Sequence, residues 1–307
     1  MTSSADCPPS SSMPRLTRAL IPLTCEITAV NEVGEQIAVS IPAERALTVY
    51  VDKRELVTLM TLGAHPEWLV LGYLRNQRLV TSVHDIESIT VDWDVGVAAV
   101  KTRHGIADIE EKTSKLVVTT GCGQGSVFGG LMDEVDQIRL PAEASLTQSQ
   151  LYSLVNTIRL KETTYKSAGS VHACALFDTA ANETEMLLFV EDVGRHNAID
   201  TIAGWMWTGM APTRGALSND PGSAGLVFYT TGRLTSEMVI KSAQMGVAIV
   251  VSRSGITQMG HEVAQSVGLC AIGRATNKRF ICYANPQRLQ FEPGLVVRPE
   301  IETLARS

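Results

Sequence analysis

Residues 226–254 read LVFYTTGRLTSEMVIKSAQMGVAIVVSRS. Residues 226–229 are a short apolar run. Residues 236–245 carry apolar side chains at helical spacing, and residues 247–251 are a second apolar run rich in β-branched side chains. A strand, a helix and a strand at this spacing describe a unit of an α/β layer with parallel strands. The run GVAIVV does not alternate between apolar and polar positions, so this strand is expected to be covered on both faces.

The same rhythm extends in both directions. Toward the C-terminus, residues 258–267 read as a helix, and 269–272 and 280–283 as strands. Toward the N-terminus, 171–177 and 186–190 read as strands, 197–207 as a helix, and 209–225 as a long surface loop. Residues 150–161 form a helix after a linker at 141–149. A smaller α+β segment lies further upstream. Its strands are at 46–51, 86–91 and 95–101, and its helix runs over 67–76 with Pro66 at the first turn, where proline is tolerated. Residues 116–120 read as a strand leading into the glycine-rich TTGCGQGSVFGG. The expected organisation is a disordered tail over 1–18, a small α+β domain over 19–115 and an α/β domain over 116–307, with the glycine-rich loop at 119–130.

Bulk properties narrow the function. A chain of 307 residues and 33.1 kDa holds one large or two modest domains. With 45% hydrophobic and 19% charged residues it buries a core rather than staying disordered. A net charge of -6 argues against sequence-blind nucleic-acid binding. No run approaches the ~18 apolar residues of a membrane helix, and the Ser- and Pro-rich start has no secretory pattern. Cys7, Cys25, Cys122, Cys174, Cys270 and Cys282 contain no C-x-x-C spacing, so a reducing cytoplasm is the expected compartment.

Common catalytic motifs are missing. There is no P-loop and no nucleophile elbow. Phe128 fills the last position of a would-be G-x-G-x-x-G, and Gln265 stands where H-E-x-x-H needs its second histidine. Cys122 is different: it follows a strand and is flanked by Gly121 and Gly123. Glycines give a thiol no cover and let the loop reach out. Successive amide N–H groups there could also favour the nucleophilic thiolate. The alternative is a tight turn with an incidental cysteine.

Arg195, Arg233, Arg253 and Arg274 each follow an expected strand, and the first three lead into expected helices. Open α/β sheets bind ligands at the carboxyl ends of their strands. A phosphorylated ligand is therefore expected there, against the alternative of four solvated arginines. His172 and His196 are candidates for proton transfer or for purely structural roles. Asp192 could cap the helix that follows it. Cys174, Cys270 and Cys282 sit in apolar runs as core residues would, and Trp205 and Trp207 fit a core or an interface.

Five blocks, TTGCGQGSVFGG, SAGSVHACALFD, EDVGRHNAIDTIAG, TTGRLTSEMVIKSAQMGVAIVVSRSGIT and AIGRATNKRFICYANPQRL, resemble the formate dehydrogenase accessory sulfurtransferase family (FdhD). A weaker likeness runs through ERALTVYVDKRELVTLM and LVLGYL, so most of residues 44–289 is covered. The resemblance implies a cytidine deaminase-like three-layer α/β core preceded by a small α+β domain. It implies a sulfur carrier that accepts a persulfide from a cysteine desulfurase. The sulfur would pass to the molybdenum (or tungsten) bis-molybdopterin guanine dinucleotide cofactor, bound as substrate, before its insertion into formate dehydrogenase. It further implies a homodimer, a persulfide at Cys122, and a cofactor segment at Arg274, Ala275, Thr276, Asn277, Lys278 and Arg279. Arg195, Arg233 and Arg253 would extend that positive rim. No metal is expected to be held by the protein itself. A deaminase is not expected, because the P-C-x-x-C half of a deaminase zinc site is absent.

One position departs from the family pattern. Gly125 stands where the well-known members place the second cysteine of C-x-x-C. One thiol can carry a persulfide, while a second would relay it by exchange. Two other readings stay open: a cofactor escort without chemistry, and a hydrolase pairing Cys122 with His172 or His196.

Overall fold

The computed structural model describes residues 13–107, 109, 135–161, 164–180, 183–209 and 224–295. Cys122, the 119–130 loop, the strand expected at 116–120 and most of the 209–225 loop lie outside them.

The N-terminal half holds β1 (Arg15–Leu16), β2 (Thr24–Val30), β3 (Gln36–Pro42), β4 (Arg45–Val51), β5 (Arg54–Thr61), helix α1 (Pro66–Asn76), β6 (Ile86–Asp92) and β7 (Val97–Thr102). Strands β1, β6, β7, β4 and β5 form one sheet in that order, and β2 and β3 pair as a separate hairpin. On β4, Leu47, Val49 and Val51 are buried at every second position, as a strand with one covered face requires. Residues 13–18 are more ordered than a tail. Arg15 and Leu16 pair with Ser88 and Ile89, and the Thr17 hydroxyl donates to Glu67 at 2.7 Å.

The rest of the chain holds β8 (Leu146–Thr147), α2 (Gln148–Lys161), α3 (Thr164–Ala168), β9 (His172–Asp178), β10 (Glu185–Asp192), α4 (Arg195–Trp207), β11 (Leu226–Thr230), α5 (Ser236–Gln244), β12 (Ile249–Ser252), α6 (Gln258–Val267), β13 (Cys270–Thr276), β14 (Arg279–Ala284) and β15 (Leu289–Gln290). Six strands form a mixed sheet in the order β10-β9-β11-β12-β13-β14. Strands β11, β12 and β13 are mutually parallel, while β9 runs against both β10 and β11. Phe228 and Val250 pack against α4, α5 and α6 on one face, and Val227, Tyr229, Ile249 and Val251 pack against α2 on the other. The arrangement is three layers, and burial on both faces explains the unbroken apolar runs.

Helix α4 joins the two halves. Trp205 belongs to the core beneath the large sheet, and Trp207 to the core of the small one. Helices α1 and α4 cross at Gly72 and Gly204. A Cβ at Gly72 would land on the carbonyl oxygen of Asp200, and one at Gly204 on that of Trp68, so only glycine permits this approach. The expected linker over 141–149 instead contains β8, paired with β15, and the first turn of α2.

Candidate functional site

Strand directions bring the arginines to one edge. Asp192 at the end of β10 is opposite His172 at the start of β9, and Thr230 at the end of β11 is opposite Cys174. The ends of β10, β11, β12 and β13 therefore share a rim with the start of β9. Arg195 opens α4 just beyond β10, Arg233 follows β11, and Arg253 follows β12 directly. Arg274 is a correction to the sequence reading: it lies within β13, not after it, where a ladder irregularity between Gly273 and Thr276 accommodates its φ of 51°. Exposed Thr276, Asn277, Lys278 and Arg279 cap the β13–β14 hairpin, and Ala275 points inward and is buried.

Backbone and hydroxyl contacts lock the loops of this rim together. The Arg253 N–H donates to the Thr230 carbonyl at 3.0 Å, and the Ser252 hydroxyl to the Gly232 carbonyl at 2.7 Å. The Arg274 N–H donates to the Ser254 carbonyl at 2.7 Å, and the Thr231 N–H to the Ala173 carbonyl at 2.9 Å. Gly232 packs on Arg195, whose Cδ would lie 2.8 Å from a Cβ placed there. The Arg253 guanidinium lies 5.2 Å from the centre of the Tyr165 ring, a cation–π distance.

Half-buried His172 senses this charge. Its pKa is held below the usual histidine value, first by burial and then by Arg195, Arg253 and Arg233. Burial and the neighbouring guanidinium groups therefore favour its neutral imidazole. Buried Arg195 and the loop residues Arg233 and Arg253 thus gather positive charge at this edge, which suits a phosphate-bearing anion.

The other acidic and basic candidates build the frame. Asp192 accepts from the Thr61 hydroxyl and the Leu62 N–H of the small sheet, and from the Gly194 N–H and the Asn197 amide of its own turn. It ties the halves together, while the residue preceding α4 is Gly194. Glu191 accepts from the Thr164 and Tyr165 N–H groups and so fixes the start of α3.

His196 is buried with its Nε2 3.2 Å from Glu237. Lys241 Nζ lies 3.2 Å from Glu237 and 3.0 Å from Asp200, which also accepts from Asn76 at 2.7 Å. Lys241 and Asp200 are both fully buried. Burial pushes the Asp200 carboxyl up, against the pull of Lys241 and Asn76. Burial also pushes Glu237 upward, but Lys241, His196 and Arg195 outweigh it and hold the carboxyl low. Burial lowers Lys241, and the two carboxylates more than restore it. The sequence reading missed this network. Its trace was Asp200, Glu237 and Lys241 standing in otherwise apolar helices.

The described cysteines separate clearly. Cys25 is exposed on β2. Cys174 is buried opposite Thr230 at the end of β11, donating to the Thr230 hydroxyl at 3.3 Å, and burial pushes its thiol up to about 12. It is a poor nucleophile at neutral pH. Cys270 and Cys282 lie toward the opposite edge of the sheet, where β13 begins. Among the described residues no group of three or more His, Cys, Asp or Glu side chains could hold a metal ion. No described helix is long and apolar enough to cross a membrane.

Comparison with known proteins agrees with this architecture. The FdhD/NarQ family profile matches residues 42–290. A protein named sulfur carrier protein FdhD from Bacillus subtilis (strain 168) is 31% identical over 278 residues, covering 86% of this chain and 98% of the relative. One of the same name from Bacillus pumilus (strain SAFR-032) is 29% identical, covering 80% and 88%. A crystal structure from Desulfotalea psychrophila, described as a candidate formate dehydrogenase accessory protein, superposes with a TM-score of 0.66 at 21% identity. It covers 87% of this chain and 100% of its own. At that identity the likeness concerns the fold.

Proposed function

The chain belongs to the FdhD/NarQ family, and from that premise we propose that it is a sulfur carrier protein serving formate dehydrogenase. Cys122 takes a persulfide from a cysteine desulfurase. The terminal sulfur then passes to the molybdenum bis-molybdopterin guanine dinucleotide cofactor, which is the substrate of the transfer. The observation that carries the reading is that the sheet register brings the loops of Arg195, Arg233 and Arg253 to the edge where β9 begins at His172, with the Arg274 backbone N–H bonded to the Ser254 carbonyl beside them. A dinucleotide with two pyrophosphates is a large anion, and bidentate guanidinium groups suit its phosphates. The exposed 276–279 hairpin tip, with Lys278 and Arg279, extends the positive surface. We read the three layers as a cytidine deaminase-like core and place the protein in the cytoplasm as a homodimer.

Cys174 is buried with a raised pKa, and Cys270 and Cys282 lie toward the opposite edge of the sheet from the rim, which supports Cys122 as the carrier, with Gly125 in place of a second loop cysteine. Incubation with a cysteine desulfurase and cysteine, read by intact mass, should add sulfur to the wild type and none to Cys122→Ala. Equal loading of both would refute the assignment, and no loading of either would favour a cofactor escort. Replacing Arg274 or Arg279 by Gln should weaken guanine-nucleotide binding by about 1–3 kcal/mol, the scale of a charge-assisted hydrogen bond. Unchanged calorimetric affinity in both variants would remove this segment from the site.

A further inference from the structure

Two thiols outside this rim form a pair. Cys270 opens β13 and is fully buried, Cys282 lies half-buried on β14, and their Sγ atoms are 3.8 Å apart. The strands are antiparallel neighbours, with a ladder irregularity between Ala271 and Ile272. Strand β14 is the outer strand of its sheet, so it can shift without disturbing a further neighbour. A disulfide needs about 2.05 Å between sulfurs, so the pair must close by less than the width of one atom.

We propose that Cys270 and Cys282 are a hydroperoxide-oxidisable dithiol that closes to an intramolecular disulfide across β13 and β14. The more accessible Cys282 thiolate attacks one peroxide oxygen. An S–O bond forms, the O–O bond breaks, and hydroxide leaves and is protonated to water. The Cys270 sulfur then displaces the oxygen from Cys282. The S–S bond forms, the S–O bond breaks, and the Cys270 proton leaves with the hydroxide as a second water. Two thiols lose two electrons, and the peroxide gains them. The hydrogen-bonded Cys270 thiol holds the Cys282 pKa below the ordinary thiol value, which favours Cys282 as the attacking group. The closed loop would span residues 271–281 and so tie the base of the hairpin that carries Arg274 to Arg279. The pair reacts whether or not that hairpin holds a cofactor.

The test uses the full chain, reduced and freed of reductant, with Cys122→Ser as a parallel background that removes the loop thiol. After hydrogen peroxide, free thiols are blocked with N-ethylmaleimide and the protein is cut with trypsin without reductant. The peptide 254–274 should appear joined to 280–288 in both proteins. The joined species should vanish with dithiothreitol and be absent from Cys282→Ser, a change at a half-buried site that spares the core. Recovery of both peptides singly alkylated, or joined only to other cysteine peptides, would overturn the proposal. Sulfur loading at Cys122 is read separately, so failure of one leaves the other standing.

Discussion

Replacing Lys241 by Met tests the buried frame behind the rim. The ammonium lies 3.0 Å from Asp200 and 3.2 Å from Glu237, with no exposure to water. Methionine fills most of the same volume but leaves both carboxylates without their cation. Breaking one buried ion pair costs about 3–5 kcal/mol. Two pairs are lost here, yet Asp200 keeps Asn76 and Glu237 keeps His196, so about 3–5 kcal/mol is the expected total. At roughly 2–4 °C per kcal/mol for a chain of this class, the melting temperature should fall by about 6–20 °C.

The loss should depend on pH with a definite sign. Burial already raises Asp200, and without Lys241 its folded pKa rises further above the unfolded value. Such a group favours the fold most below its unfolded pKa, and that help is lost as pH rises through the folded value. Glu237 behaves oppositely in the wild type. Its lowered pKa stabilises the fold above its unfolded pKa and that support is lost as pH falls, and the variant has less of it to lose. Glu237 loses its support only below its ordinary value of 4.5, so between pH 7 and pH 5 it is Asp200 that makes the difference between the proteins larger at pH 7 and smaller at pH 5. Urea unfolding followed by circular dichroism at the two pH values measures it, and adding Asp200→Asn to the variant should restore part of the stability. A loss below about 1 kcal/mol that is the same at both pH values would refute the reasoning.

Two further predictions concern the helix crossing and the rim. Gly204→Ala should lower stability by about 1–2 kcal/mol in denaturant titrations although alanine is the better helix former, because backbone atoms of Trp68 and Gly72 occupy the space a Cβ needs; a gain in stability would mean the helices are further apart. Arg253→Gln should raise the His172 pKa, read from the imidazole proton shifts in an NMR titration, and an unmoved titration would mean that the arginine does not face that ring.

The large sheet was legible because its strands are covered on both sides. The helix expected at 258–267 is observed as Gln258–Val267, and the strand expected at 226–229 as Leu226–Thr230. Strands β2 and β3 escaped notice because most of their residues are exposed or half-buried, so no face imposes a hydrophobic period. Strand β5 carries only two fully buried residues, Leu59 and Thr61, at its far end. Arg274 was placed after its strand because the apolar run that marks the strand ends at Ile272. In the fold Gly273 is an irregular ladder position and β13 continues through it.

Local periodicity and residue chemistry were enough to identify a layered α/β core, an arginine after each of several strands, and an isolated thiol between glycines. Those properties depend on near neighbours in the chain. Tertiary structure decided that Asp192 latches onto Thr61, that Lys241 is buried against Asp200, and that Cys270 touches Cys282. Each of these contacts joins separate elements, and strand order and helix crossing, which one-dimensional spacing does not encode, determine which groups meet.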